Sequence, residues 1–305
     1  MLLLEQMVVL FLLMGVGFYC YKKRIITDET SKKISAIVVN IANPAMILTG
    51  CMSDEKIEGR ELLVVAVIVV AIYVVLMILA TFMPHLLRIE KRSRGTYQAM
   101  TIFSNIGFMG FPVISALYGS GALLYASLFT IPFNILIYTY GIAAMSPESD
   151  STEKRKVPLE RIFNIGVIAC IITMVVYLLK LPVPAFVKST ATHLSNLTAP
   201  LSMMVIGASM ATMDLKKMFA DIKLLIFSVI KLVIIPIVGV LVIRQFVDNE
   251  VICGVCMIML ATPVGSMTAM LAQQYDGDYE MASRGVALTT VLSVITMPLV
   301  SMILG

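Results

Sequence analysis

From Leu62 to Met83 the chain carries no charged residue and is built almost entirely from Val, Ile, Leu and Ala. At about 1.5 Å of rise per residue, a helix of this length crosses the roughly 30 Å hydrocarbon core of a bilayer. Nine further apolar stretches accompany it. The ten run approximately over 3–21, 34–52, 62–83, 96–118, 121–145, 163–180, 190–211, 222–243, 250–272 and 282–304. Those over 34–52, 96–118, 190–211 and 250–272 are weaker because they carry Asn, Ser, Thr, Gly and Pro. Of the 305 residues, 59% are hydrophobic and 14% charged, against roughly 45–50% and about 25% in soluble domains. What lies between the segments is short, which excludes an ordinary cytosolic enzyme, a disordered chain and any sizeable soluble domain. The expectation is an all-α membrane protein of ten transmembrane helices.

Basic residues set the orientation. Most of the 23 Lys and Arg residues follow odd-numbered segments, in blocks such as Lys22-Lys23-Arg24, Lys91-Arg92 and Lys154-Arg155-Lys156. Lys56, Arg60, Lys180, Lys188 and Arg244 follow even ones. The alternation predicts both termini outside the cytoplasm and the 146–162 loop inside it. The net charge of +4 is then topology and no footprint of nucleic acid. The first segment has its charges after the apolar run, unlike a cleaved signal peptide, and is expected to remain as a span. The five cysteines lie in or beside apolar stretches and read as small hydrophobes, the Cys253/Cys256 pair included. No spacing suggests a metal or a cofactor, and none is expected.

The two halves echo each other. Pro44 is matched by Pro200 and Pro112 by Pro263, each about half the chain further on. Five spans per half is an odd number, so the second copy must lie inverted in the membrane. The predicted organisation is a first repeat over 1–145, a cytoplasmic linker over 146–162 and a second repeat over 163–305. Matched Gly/Pro-interrupted spans in two halves mark the binding site of a transporter near the bilayer midplane. Proline removes a backbone donor and glycine permits unusual dihedrals. Helices four and nine are therefore expected to break at Gly107–Pro112 and at Thr262–Ser266.

These stretches resemble the auxin efflux carrier family, which includes plant auxin transporters and bacterial malonate and malate carriers. The matching pieces are Ile41-Ala42-Asn43-Pro44, Ser104-Asn105-Ile106-Gly107-Phe108-Met109-Gly110-Phe111-Pro112, Ala199-Pro200 with Ile206-Gly207-Ala208-Ser209, and Ala261-Thr262-Pro263. The resemblance covers nearly the whole chain, and Asn-x-Gly-Phe-Met-Gly-x-Pro is its most specific part. It implies an elevator-type carrier, a substrate held at the crossover of spans four and nine, and a homodimer. The chain departs from the plant members in its short central loop. Where those members carry an Asn after the crossover proline, this chain reads Val264-Gly265-Ser266-Met267-Thr268.

Half-helix N-termini present about half a positive charge each, and Asn105, Ser266 and Thr268 can donate hydrogen bonds. A small organic anion suits that combination. The expected substrate-binding set is Asn105, Gly110, Pro112, Pro263, Ser266, Thr268 and Asn43, with Asn43 either touching substrate or bracing the crossover. Asn196 is open between the same two roles, and Asn40 reads as a helix–helix contact. Lys231 lies well inside a span, where insertion costs on the order of 2.5–3.5 kcal/mol. Three readings apply to it: countercharge to an anion, brace for broken-helix carbonyls, or snorkelling to the interface. Spans two to ten hold no Asp or Glu away from their ends, so uniport or anion exchange is expected. An intramembrane enzyme would need a nucleophile–base pair or metal ligands within spans, and neither occurs. The remaining alternatives are a carrier of auxin-like aromatic acids and a channel or non-transporting receptor.

Overall fold

The computed structural model describes residues 2–52, 59–145, 163–212, 219–275 and 277–304. The 146–162 loop lies outside the described residues. The described chain is almost entirely helical, and its one β-feature is an isolated antiparallel bridge between Ser104 and Val264. In order, the helices are α1 (Leu2–Lys22), α2 (Asp28–Met52), α3 (Gly59–Leu86), α4 (Lys91–Ile102), α5 (Ile106–Tyr118), α6 (Ala122–Met145), α7 (Ile165–Leu178), α8 (Ala185–Ser195), α9 (Thr198–Met210), α10 (Ile222–Ile243), α11 (Glu250–Ala261), α12 (Ser266–Gln274) and α13 (Tyr279–Leu304). By length and composition α2, α3, α6, α10 and α13 can each cross a bilayer, and α5, α7 and α11 are shorter apolar helices. This is a multi-pass membrane protein.

The α3 sequence is rich in β-branched residues, which lower helix propensity in water. In lipid every backbone polar group must be satisfied within the segment, so the helix forms regardless. Its buried residues include Leu62, Val65, Val69, Tyr73, Leu76, Ala80 and Met83. Steps of three and four residues place them in one stripe, while Leu63, Val67, Val70, Val74 and Phe82 stay exposed on the other side. The apolar exposed face suits lipid. The Tyr73 hydroxyl donates to the Phe129 carbonyl at 3.3 Å and pins α3 to α6.

The helices pack in two groups. In the first, α1 lies on α9 while α2 packs against α7 and α8. A Cβ on Gly17 would run into the Met204 carbonyl oxygen, and one on Gly207 into that of Met14. Only glycine permits backbones this close. In the second group α3, α4, α5, α6, α10, α11, α12 and α13 surround the Ser104–Val264 bridge. Tyr97 of α4 meets Phe227 of α10 edge to face, with centroids 5.3 Å apart, and Gly254 of α11 abuts the Tyr118 hydroxyl of α5.

Three departures from the sequence expectation have local causes. The segment expected over 190–211 is two helices, because Pro200 has no N–H to offer the Asn196 carbonyl and the chain turns at Asn196–Leu197. The segment expected over 96–118 opens at Phe103–Asn105 and not at its Gly/Pro motif. Pro112 instead follows a wide π turn, Ile106–Gly110, which absorbs the missing donor without breaking the helix. Pro44 after Val38–Ala42 and Pro236 after Ile230–Ile234 are accommodated in the same way.

Candidate functional site

Two helical tracks stop and restart at the same place. Helix α4 ends at Ile102 and α11 at Ala261, and their successors begin at Ile106 and Ser266. The segments between are extended and paired: the Asn105 amide donates to the Pro263 carbonyl at 2.7 Å, and the Gly265 amide to the Phe103 carbonyl at 2.9 Å. A Cβ on Gly265 would lie 3.1 Å from the Ser104 carbonyl oxygen, so glycine lets the two strands of the crossing approach. The Val264 amide donates to the Thr289 hydroxyl of α13 at 3.1 Å. Backbone groups released by the breaks thus find partners away from water, as buried amides must.

Asn105 caps α5. Its Oδ1 accepts the Phe108 amide at 3.2 Å, while its side-chain amide donates to no group among the described residues. Ser266 opens α12 and is exposed. No side chain caps α12, because its N-cap is Gly265. Thr268, one turn in, is fully buried, and its hydroxyl has no hydrogen-bond partner among the described residues. Two helix N-termini with donors to spare therefore flank one backbone bridge.

Asn43 on α2 is 7% exposed, and its Oδ1 is buried without a partner among the described residues. Its Nδ2 would lie 3.1 Å from a Cβ on Gly107, so α2 reaches the first turn of α5. Gly110 and Pro112 are buried within α5, and a Cβ on Gly110 would lie 3.2 Å from the Met259 sulfur. They let α11 come close and present no polar group of their own side chains. Pro263 is buried too and contributes its carbonyl to the bridge.

Lys231 is fully buried on the π turn of α10. Its ammonium donates to the Thr101 carbonyl at 2.9 Å and to the Ser104 hydroxyl at 2.7 Å. Among the described residues it meets no carboxylate. The geometry matches a brace on a broken helix and leaves no snorkelling, since the side chain never reaches the surface. Asn105, Pro263 and Lys231 meet directly or through Ser104 at the crossing, with Asn43 and Gly110 beside it. Asn196 is exposed and Asn40 bonds back to the Ala36 carbonyl of its own helix, so neither belongs. Sequence alone gives no role to Ser104, which stands in the span-four motif, or to Thr289, because a hydroxyl in a membrane helix carries no positional signal by itself. Among the described residues no group of three or more His, Cys, Asp and Glu could hold a metal ion, and all five cysteines are free.

A family model described as membrane transport protein matches residues 2–301. An uncharacterised transporter of Methanocaldococcus jannaschii is 23% identical over 305 residues, covering 98% of both chains. Another, from Methanothermobacter thermautotrophicus, is 22% identical over 307 residues with the same coverage. A crossing of two interrupted helices inside a multi-pass chain, and a match from one end of it to the other, lead to the same place: the chain belongs to the membrane transport protein family, that of the auxin efflux carriers.

Proposed function

We propose that the protein is a secondary carrier of small organic anions, carboxylates above all, which it binds at the crossing of Phe103–Asn105 with Thr262–Gly265. One observation carries this reading. Two helix N-termini and a buried ammonium that meets no carboxylate among the described residues converge on one backbone bridge; the ends of α4 and α11 there offset the half charges of the N-termini, so the positive charge left over is the ammonium's. The Asn105 amide, the uncapped first turn of α12, Ser266 and Thr268 supply donors for carboxylate oxygens, and Asn43 faces the same turn of α5 from the other helix group.

In the cell membrane, α4 with α5, α8 with α9 and α11 with α12 each make one interrupted crossing, giving ten spans as two inverted repeats, 1–145 and 163–305, joined by a cytoplasmic 146–162 linker. Helix ends support this sidedness. Ends assigned to the cytoplasm by their Lys and Arg content meet one another: Ser93 with Asp278, Lys223 with the Arg88 carbonyl, and Lys22 with the Ala211 carbonyl. Ends assigned outward also meet, through Glu61 with Tyr125 and Asn249. Both termini then lie outside the cytoplasm. Alternating access is of the elevator type, the crossing and its helices sliding against the α1, α2, α7, α8 and α9 group. The carrier works as a homodimer.

Purified protein in proteoliposomes, offered a panel of labelled mono- and dicarboxylates, aromatic acids, amino acids and cations, tests the assignment. Accumulation of carboxylates is expected, with no need for an inward sodium gradient. Movement of zwitterions or cations alone would remove the anion reading.

A further inference from the structure

Lys231 does more than fill a polar gap. In a continuous helix the Thr101 carbonyl would accept from the Asn105 amide four residues on. Here that amide is spent on Pro263, so the carbonyl belongs to the unpaired last turn of α4, the negative end of that helix. The ligands around the ammonium are a helix-end carbonyl and the hydroxyl of the unwound segment, oxygens only, at 2.9 and 2.7 Å. Unwound carbonyls and half-helix C-termini are the groups with which broken-helix carriers coordinate sodium or a proton. A neutral Ser, Thr or Asn could satisfy the same oxygens without burying a charge in the bilayer. Retention of the charge needs a reason beyond hydrogen bonding, and the negative helix end provides it.

We infer that Lys231 is the resident cation of the crossover: its tethered ammonium occupies the place at the carboxyl end of α4 that a soluble coupling cation would otherwise fill. The π turn Ile230–Ile234 ahead of Pro236 presents it there. The inference deepens the carrier reading, because a cation that never leaves cannot couple its own gradient to the substrate's. It stands or falls, however, on a measurement that needs no substrate.

Lys231→Ala removes the ammonium and leaves a space lined by the Thr101 carbonyl and the Ser104 hydroxyl, open to a small cation. The melting temperature of purified protein is measured in detergent with choline, sodium, ammonium or methylammonium chloride at equal ionic strength. Wild type should melt alike in all four. Lys231→Ala should melt lower in choline and rise in a saturable way with methylammonium, ammonium or sodium. Lys231→Met, which fills the space without charge, should be destabilised in every salt and gain nothing from the small cations. A Lys231→Ala variant indifferent to the salt, or a Lys231→Met variant as stable as wild type, would overturn the inference. Should Lys231→Ala not be recovered, wild type and Lys231→Met still decide it. Wild-type stability that depended on sodium over choline would show that the soluble ion still has a place to bind, and the resident-cation inference would fail. Loss of all carboxylate uptake in the wild type would sink the carrier assignment and leave these melting curves untouched.

Discussion

Asn105 divides its side chain between two tasks. The oxygen closes the first turn of α5 by accepting the Phe108 amide, and the amide hydrogens remain for whatever enters the crossing. Asparagine is among the residues that cap helices best, so a cap alone would explain its presence. The two tasks separate by substitution. Asn105→Ala removes both and should lower stability by about 1 kcal/mol, the usual cost of a lost cap. Asn105→Asp keeps an acceptor for Phe108, loses the donor and adds a charge that repels an anion. Its melting temperature should stay at or above that of Asn105→Ala. Carboxylate uptake should fall at least about tenfold in both variants, since a hydrogen bond to a charged group contributes roughly 1.5–3 kcal/mol. Wild-type uptake by Asn105→Asp would reduce the residue to a cap.

Among the elements, those that bear on the crossing are the irregular ones. Three π turns, Val38–Ala42, Ile106–Gly110 and Ile230–Ile234, each precede a proline, and each delivers something to the crossing: Asn43, the start of α5 itself, and Lys231. The prolines were legible in the sequence, and so was the second break at Pro263. The first break was displaced from its expected place, because a helix can absorb a proline by widening one turn, and hydropathy does not reveal which it will do. What opened α4 instead was a set of long-range partners, Pro263, Gly265 and Lys231, far away in sequence. The α1–α9 contact was equally illegible, although Gly207 was noted within a motif: its closeness to Met14 is a property of two helices at once. That contact makes a prediction. Gly207→Ala puts a methyl group into the Met14 backbone and should cost about 1–3 kcal/mol or more, as overpacking does. Gly15→Ala, beside Met14 on α1, meets nothing within 4 Å and should change stability by less than about 0.5 kcal/mol. Thermal unfolding in detergent compares them. Equal melting temperatures would mean that α1 and α9 can separate at no cost.

For the molecule as a whole, the elevator reading requires that the two helix groups move as bodies. Each group has rigid contacts of its own: the α1–α9 glycine packing in one, and Tyr97–Phe227, Tyr73–Phe129 and the backbone bridge in the other. Contacts between the groups include the Asn164 side-chain amide donating to the Asn134 Oδ1 and the Cys170 thiol to the Ser127 carbonyl, and Gly50 of α2, whose Cβ would stand 3.5 Å from that of Leu123 in α6. That spacing lies at the short end of the range a disulfide spans, roughly 3.5–4.5 Å. In a background with Cys51 replaced by Ser, Gly50→Cys with Leu123→Cys should bridge under mild oxidation and stop carboxylate uptake, and a reductant should restore it. A second pair, Gly277→Cys with Met145→Cys, has 3.3 Å between a built Cβ and the Met145 Cβ. It joins two parts of the same group and should leave uptake unchanged when oxidised. A staple inside a moving body is carried along with it, whereas one between bodies holds them in a single state. Unimpaired uptake by the oxidised Gly50–Leu123 pair would mean that substrate crosses without relative motion of the groups, and access would then have to alternate by local gating around the crossing.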